Sequence, residues 1–306
     1  MPENPLGISS FVLASPFGDE NLSVFSSVRE MGYDMVELCI EDPSRLSAAR
    51  VKEAAAQAGL ALTIGGAFGE HRDLSHESPH RRQAGLDYLL QCVSFAAAVE
   101  ARIVSGPMYS AAGKARMLSP DERAAQRQWA VEGIRVAADR AGEHGIVLAV
   151  EPLNRFETDL VNTVQQGIEL CDLVDRANVG LALDTFHMNI EEKHVGEAIR
   201  IAGPLIVNFQ ASENDRGAPG SGHIDWRETF DALKEIDYGG PIVVESFRPE
   251  VADLAAAVFL WRPVVTSMDD LARDSYHFIR EEIQRSEGGH DDHKGLGYRR
   301  RAQLLV

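Results

Sequence analysis

Basic residues are scarce in this chain. Thirty lysines and arginines stand against 47 aspartates and glutamates, a formal net charge of −17 at pH 7. Binding a phosphate backbone requires Lys and Arg to displace counterions, so no nucleic-acid partner is expected. Cysteine is scarcer still: Cys39, Cys92 and Cys171 make an odd count, which argues against a disulfide framework and for three small buried hydrophobes. The opening MPENPLGISS lacks a charged n-region followed by an apolar run. No apolar stretch approaches the roughly 18 residues of a membrane span. A cytoplasmic protein, free of disulfides and of membrane contacts, is expected. Strand-linked GxGxxG and P-loop lysine motifs are also missing, and with them the usual marks of a nucleotide crevice.

What is present is an alternation of short apolar runs with longer amphipathic stretches, at 44% hydrophobic and 25% charged residues. The runs read as strands are Leu6 to Val12, Asp34 to Cys39, Leu60 to Ile64, Arg102 to Ser105, Ile146 to Glu151, Val179 to Asp184, Leu205 to Gln210 and Pro241 to Glu245. Between them lie helical patterns such as LSAARVKEAAAQAG and SPDERAAQRQWAVEGIRVAADRAGEHG, the second opening on a Ser-x-x-Glu capping box. Eight such units predict an α/β fold, a (β/α)8 TIM barrel, with one extra C-terminal helix from Met268 to Arg285. Residues 1–286 are expected to form a single domain. Residues 287–306, polar and patternless, are expected to form a mobile tail.

Four oxygen-bearing side chains close four successive strands: Glu151 in VLAVEP, Asp184 in GLALD, Gln210 in IVNFQ and Glu245 in IVVES. In a parallel barrel, catalytic groups come from the C-terminal strand ends, so these four are expected on one rim. A single acid there is as readily an N-cap for the next helix, but four in succession point to a shared metal site. Three carboxylates and an amide form an all-oxygen set suited to Mg²⁺ or Mn²⁺. Glu157 in EPLNRFE, His187 in DTFHMN and Arg216 in QASENDR lie where a substrate shell belongs. The loop Gly217 to His223 reads as an ordinary flexible turn, because it lacks the basic residues of a phosphate cradle.

The segments EPLNRFETDLVNT, LDTFHMNIEE, ASENDRGAPGSGHIDW, VVESF and, more weakly, FLWRP resemble the D-tagatose 3-epimerase and D-psicose (allulose) 3-epimerase family of xylose-isomerase-like barrels, over most of residues 5–285. The resemblance implies that Glu151, Asp184, Gln210 and Glu245 are metal ligands and that Glu151 and Glu245 are also the catalytic acid–base pair. It implies that Glu157, His187 and Arg216 contact the carbonyl end of a sugar substrate, and that the protein is a homodimer or homotetramer. One departure stands out: family epimerases carry histidine where this chain has Gln210, and often a second where it has Asn208. Glutamine occurs at the matching position in related hydroxypyruvate isomerases. A neutral oxygen in place of an imidazole hardens the site, which keeps the cofactor expectation at Mn²⁺ or Mg²⁺.

The expected reaction is C3 epimerisation of a free ketohexose or related keto sugar, by proton abstraction through a cis-enediolate between two opposed glutamates. A hydroxypyruvate or other small ketose isomerase and, from another class, a non-catalytic sugar-binding barrel are the competing readings.

Overall fold

The computed structural model describes residues 4–288. Eight parallel strands close into one barrel: β1 Leu6–Ser9, β2 Met35–Ile40, β3 Ala61–Gly66, β4 Ile103–Gly106, β5 Val147–Val150, β6 Val179–Asp184, β7 Ile206–Ala211 and β8 Ile242–Val244. Each strand pairs with its sequence neighbour, and β8 returns to β1 with Leu6 opposite Ile242, so no strand edge is left open. Strands of such a barrel are covered on both faces, which is why they read as apolar runs rather than alternating ones. Every residue of β2 and of β6 is buried.

The run from Leu6 to Val12, predicted as one strand, divides in two. β1 stops at Ser9, whose hydroxyl accepts from the Phe11 N–H at 3.3 Å and starts the single helical turn Ser10–Leu13. Serine side chains offer the backbone this local alternative to a ladder. The other strands fall where the apolar runs placed them, within a residue or two at their ends.

The two helical patterns named from the sequence form as Ala48–Ala58 and Pro120–Gly142, and RRQAGLDYLLQCVSFAAAVEA, another of the amphipathic stretches, lies in the helix Pro79–Ala98 and just beyond it. The capping box at Pro120–Gly142 is complete: the Glu122 N–H donates to Ser119 Oγ and the Ser119 N–H to Glu122 Oε2 at 2.8 Å. Such a cap stabilises a helix by about 1 kcal/mol. The C-terminal helix runs from Met268 to Gly288, beyond the predicted end at Arg285. It buries Leu271, Ala272, Ile279 and Ile283 and packs on β8 and on the helix Trp226–Glu235. The tail expected beyond it lies outside the described residues.

One continuous apolar cluster fills the barrel and the layer between strands and helices. A second, small cluster of Phe247, Ala255 and Leu260, with Phe11 and Leu254 against it, stands apart from the first. Cys39, Cys92 and Cys171 are all free and buried. Burial pushes the Cys92 and Cys171 thiols up to about 12. Among the described residues no helix is long and apolar enough to cross a membrane.

Candidate active site

The four strand-end residues converge. Glu151 directly follows β5 and Glu245 directly follows β8, their N–H groups donating to the Gly106 and Ala211 carbonyls at 3.1 Å. Asp184 ends β6 opposite Gln210 of β7 in the ladder. Both readings of Asp184 hold at once: Oδ1 caps the following helix by accepting from the Phe186 N–H at 2.9 Å, while Oδ2 faces the other acids. Gln210 Nε2 donates to Glu245 Oε1 at 3.3 Å, and its own Oε1 is buried without a hydrogen-bond partner.

A cavity of about 510 Å³ opens at these strand ends. Glu151, Gln210, Glu245, Glu157, His187 and Arg216 lie on its wall, facing an apolar side that includes Phe11, Phe68 and Phe247. Asp184 stands behind that wall, in contact with Arg216. All seven residues singled out from the sequence are therefore brought together.

Arg216 pairs differently from the partner its neighbour Asp215 offers. Its Nη1 donates to Asp184 Oδ2 and, at 3.0 Å, to Glu245 Oε2, while Asp215 pairs with Arg262. Burial works against the guanidinium charge, but Asp184, Glu245 and Glu157 outweigh it and hold Arg216 above its ordinary value. Its face stacks on the Phe186 ring at 3.9 Å. Burial, then the charges of Glu245 and Asp184, push the Glu151 carboxyl well up. Burial likewise raises Glu245 and Glu157, with Arg216 acting against it at both.

His187 is drawn down to about 3, chiefly by burial, and is neutral at working pH. The Asn154 N–H donates to its Nδ1 at 3.1 Å. Arg216 Nη2 lies 3.2 Å from the other ring nitrogen, Nε2, which stands 3.6 Å from Glu151 and 3.7 Å from Asp184. Glu151, Asp184 and His187 are the three groups whose ligand atoms lie within 4.8 Å of one another, so the histidine assigned to a substrate shell also stands at the heart of the possible metal site.

Sequence reasoning missed Glu37. It lies inside β2, 1% exposed, and accepts from Ser105 Oγ at 2.7 Å, Asn208 Nδ2 at 2.8 Å and Gln210 Nε2 at 3.0 Å. An acid inside an otherwise apolar run of a parallel barrel is the signal that was available, since such a strand has no solvent face to offer it. Glu213 was missed as well, and it corrects the reading of the loop Gly217 to His223 as an ordinary flexible turn. The buried Glu213 carboxylate accepts from the N–H groups of Gly220 and Ile224 and from Trp226 Nε1, so the turn is wrapped around an anion of its own.

A hard cation suits these donors. Three buried carboxylates repel one another, the amide oxygen of Gln210 has no partner, and every one of the four groups offers oxygen. In this structure Arg216 supplies the only positive charge in contact with Asp184 and Glu245 among the described residues.

A family model described as xylose isomerase-like TIM barrel matches residues 25–281. The chain is a member of that family. Within it, the D-psicose 3-epimerase of Agrobacterium fabrum is 33% identical over 83% of this chain and 90% of its own. The L-ribulose 3-epimerase of Mesorhizobium japonicum is 32% identical over 90% of this chain and 92% of its own. Among solved structures, an L-ribulose 3-epimerase superposes with a TM-score of 0.88 at 30% identity, covering 93% of this chain and 96% of that one. A D-psicose 3-epimerase solved in the presence of D-fructose gives 0.82 at 30% identity, over 91% and 99%. The resemblance read from the sequence motifs is thus correct, and the chain belongs to the ketose 3-epimerase branch of the xylose isomerase-like barrels.

Proposed function

We propose that this protein is a metal-dependent ketose 3-epimerase acting on a free ketohexose or a related keto sugar. The observation that carries the reading is the placement of Glu151 and Glu245, three strands apart around the ring, on the wall of one cavity. Two carboxyl groups from different sides of the mouth supply what inversion needs: one removes the C3 proton from one face and the other delivers a proton to the opposite face. Glu151, Asp184, Gln210 and Glu245 would hold Mn²⁺ or Mg²⁺, with His187 within reach of the same point. The ion would supply positive charge against the oxygens that become negative as the proton leaves.

The remaining side chains have roles of their own. His187 and Arg216 stand side by side at the carbonyl end of the sugar, Arg216 Nη2 lying 3.2 Å from His187 Nε2, and the guanidinium is a donor for a sugar oxygen. Glu157 is fixed by Asn154 Nδ2 at 2.7 Å and orients the same end of the substrate. The distal wall favours an uncharged sugar. Arg72, which lines it, spends both terminal nitrogens on the carbonyls of Ala67 and Glu41 and lies over the Tyr88 ring, leaving no ready cradle for a phosphate. A small ketose isomerase is favoured by Gln210, but a cavity of about 510 Å³ favours a longer sugar than hydroxypyruvate.

The test is incubation with free ketoses and Mn²⁺ in D₂O. The expected product is the C3 epimer carrying deuterium at C3. Exchange confined to C1 would make the protein an aldose–ketose isomerase, and sugar binding with no metal-dependent turnover would make it a binding module.

A further inference from the structure

We propose that Glu37 is a positioning residue that decides which atom of the Gln210 side chain faces the metal; the inference rests on the metal-dependent reading above. An amide is nearly symmetrical in shape but not in charge, and its terminal torsion is broad and roughly two-fold. A glutamine ligand therefore needs something outside itself to keep its oxygen toward the cation.

Glu37 provides that. Its Oε1 accepts from Gln210 Nε2 at 3.0 Å, and on the other side its Oε2 accepts from Ser105 Oγ and Asn208 Nδ2. Gln210 Nε2 also meets Glu245 Oε1 at 3.3 Å. With Glu37 and Glu245 ionised, turning the amide over would set its oxygen against two carboxylate oxygens and aim its NH₂ group at the cation, which is unfavourable at every contact. In the orientation observed, the amide oxygen is left buried and unpartnered. Asn208 is tied by the same carboxylate and likewise keeps its Oδ1 unpartnered. One buried acid thus orients both Asn208 and Gln210.

The experiment compares Mn²⁺ binding by calorimetry in the wild type, Glu37→Gln, Gln210→Ala and the double variant, each with its metal-free melting temperature. Removing a group that orients a ligand weakens metal binding about 10–100-fold, and that loss is expected for Glu37→Gln. In the Gln210→Ala background the same change is expected to alter affinity by less than about twofold, because the residue it acts through is gone. Mn²⁺ affinity unchanged in a folded Glu37→Gln protein would overturn the inference. So would an equal loss in both backgrounds, which would mark a general structural effect. If Glu37→Gln fails to fold, Glu37→Asp, which keeps the charge but withdraws it by one methylene, is measured in its place with the same two outcomes. A wild type that binds no Mn²⁺ would overturn the functional reading as well, whereas a wild type that binds and a Glu37 variant that binds equally would overturn only this inference.

Discussion

At the C-terminal ends of β5 to β8 stand Glu151, Asp184, Gln210 and Glu245, whereas β1 to β4 end in Ser9, Ile40, Gly66 and Gly106. One half of the rim carries carboxyl and amide groups; the other carries mainly small or apolar ones that leave space, with Glu41, directly after β2, also on the cavity wall. The cavity lies between, with Gly65, Gly66 and Gly106 on one side and the acids on the other. Under the proposed function, a barrel of nearly equivalent units gives one half of its rim mainly to chemistry and the other mainly to the volume of the substrate. Glu37 is another acid of the first half, inside β2, and its contacts reach across the barrel to β7.

That contrast can be broken from either side. The largest effect is expected from the chemical half: Glu245→Gln should lower kcat by about 10²–10⁴-fold, the usual worth of a positioned acid or base, with the melting temperature little changed. Stopped assays at saturating sugar and Mn²⁺ would show it, and a KM-only effect would move Glu245 out of the acid–base role. Next comes removal of the metal. Dialysis against a chelator should abolish turnover, and added Mn²⁺ or Mg²⁺ should restore it, measured on the same sample.

Changes in the spatial half should act on binding instead. A Cβ at Gly66 would stand 2.4 Å from the Phe68 ring, so Gly66→Val should push that ring and raise KM about tenfold while leaving kcat nearly intact. Gly106 has φ +128 and its added Cβ would meet the Gly66 carbonyl at 2.8 Å. Gly106→Ala should therefore lose about 1–3 kcal/mol of stability in denaturant titration. The smallest effect is on the thiols: with burial lifting Cys92 and Cys171 to about 12, neither should react with a thiol reagent at pH 8 until the chain is unfolded.

Much of this was legible in the sequence, and for physical reasons. Parallel strands buried on both faces show as apolar runs, and polar groups at their ends cannot belong to the core, so Glu151, Asp184, Gln210 and Glu245 announced themselves. The split of the first run at Ser9 was hidden because Phe11 and Val12 are as apolar as a strand requires, and only the capping hydroxyl tells them apart. Glu37 was hidden inside DMVELCIED for a related reason: its partners Ser105, Asn208 and Gln210 are far away in sequence, and only closure of the barrel brings them to it. Pairings such as Arg216 with Asp184 and Glu245 belong to the same class, since an arginine beside an aspartate in sequence suggests a neighbour it does not choose.

Arg216 sits at φ +69, in the left-handed region that a residue with a side chain enters at a cost of about 1–3 kcal/mol. Glycine would rest there without penalty and is already the very next residue in the chain. The backbone conformation alone would favour a residue without a side chain at position 216. The chain accepts that local cost to keep a guanidinium over the acids: Arg216→Gly would relax the backbone but leave Asp184 and Glu245 buried without their cation, so denaturant titration is expected to show a less stable as well as a disabled protein.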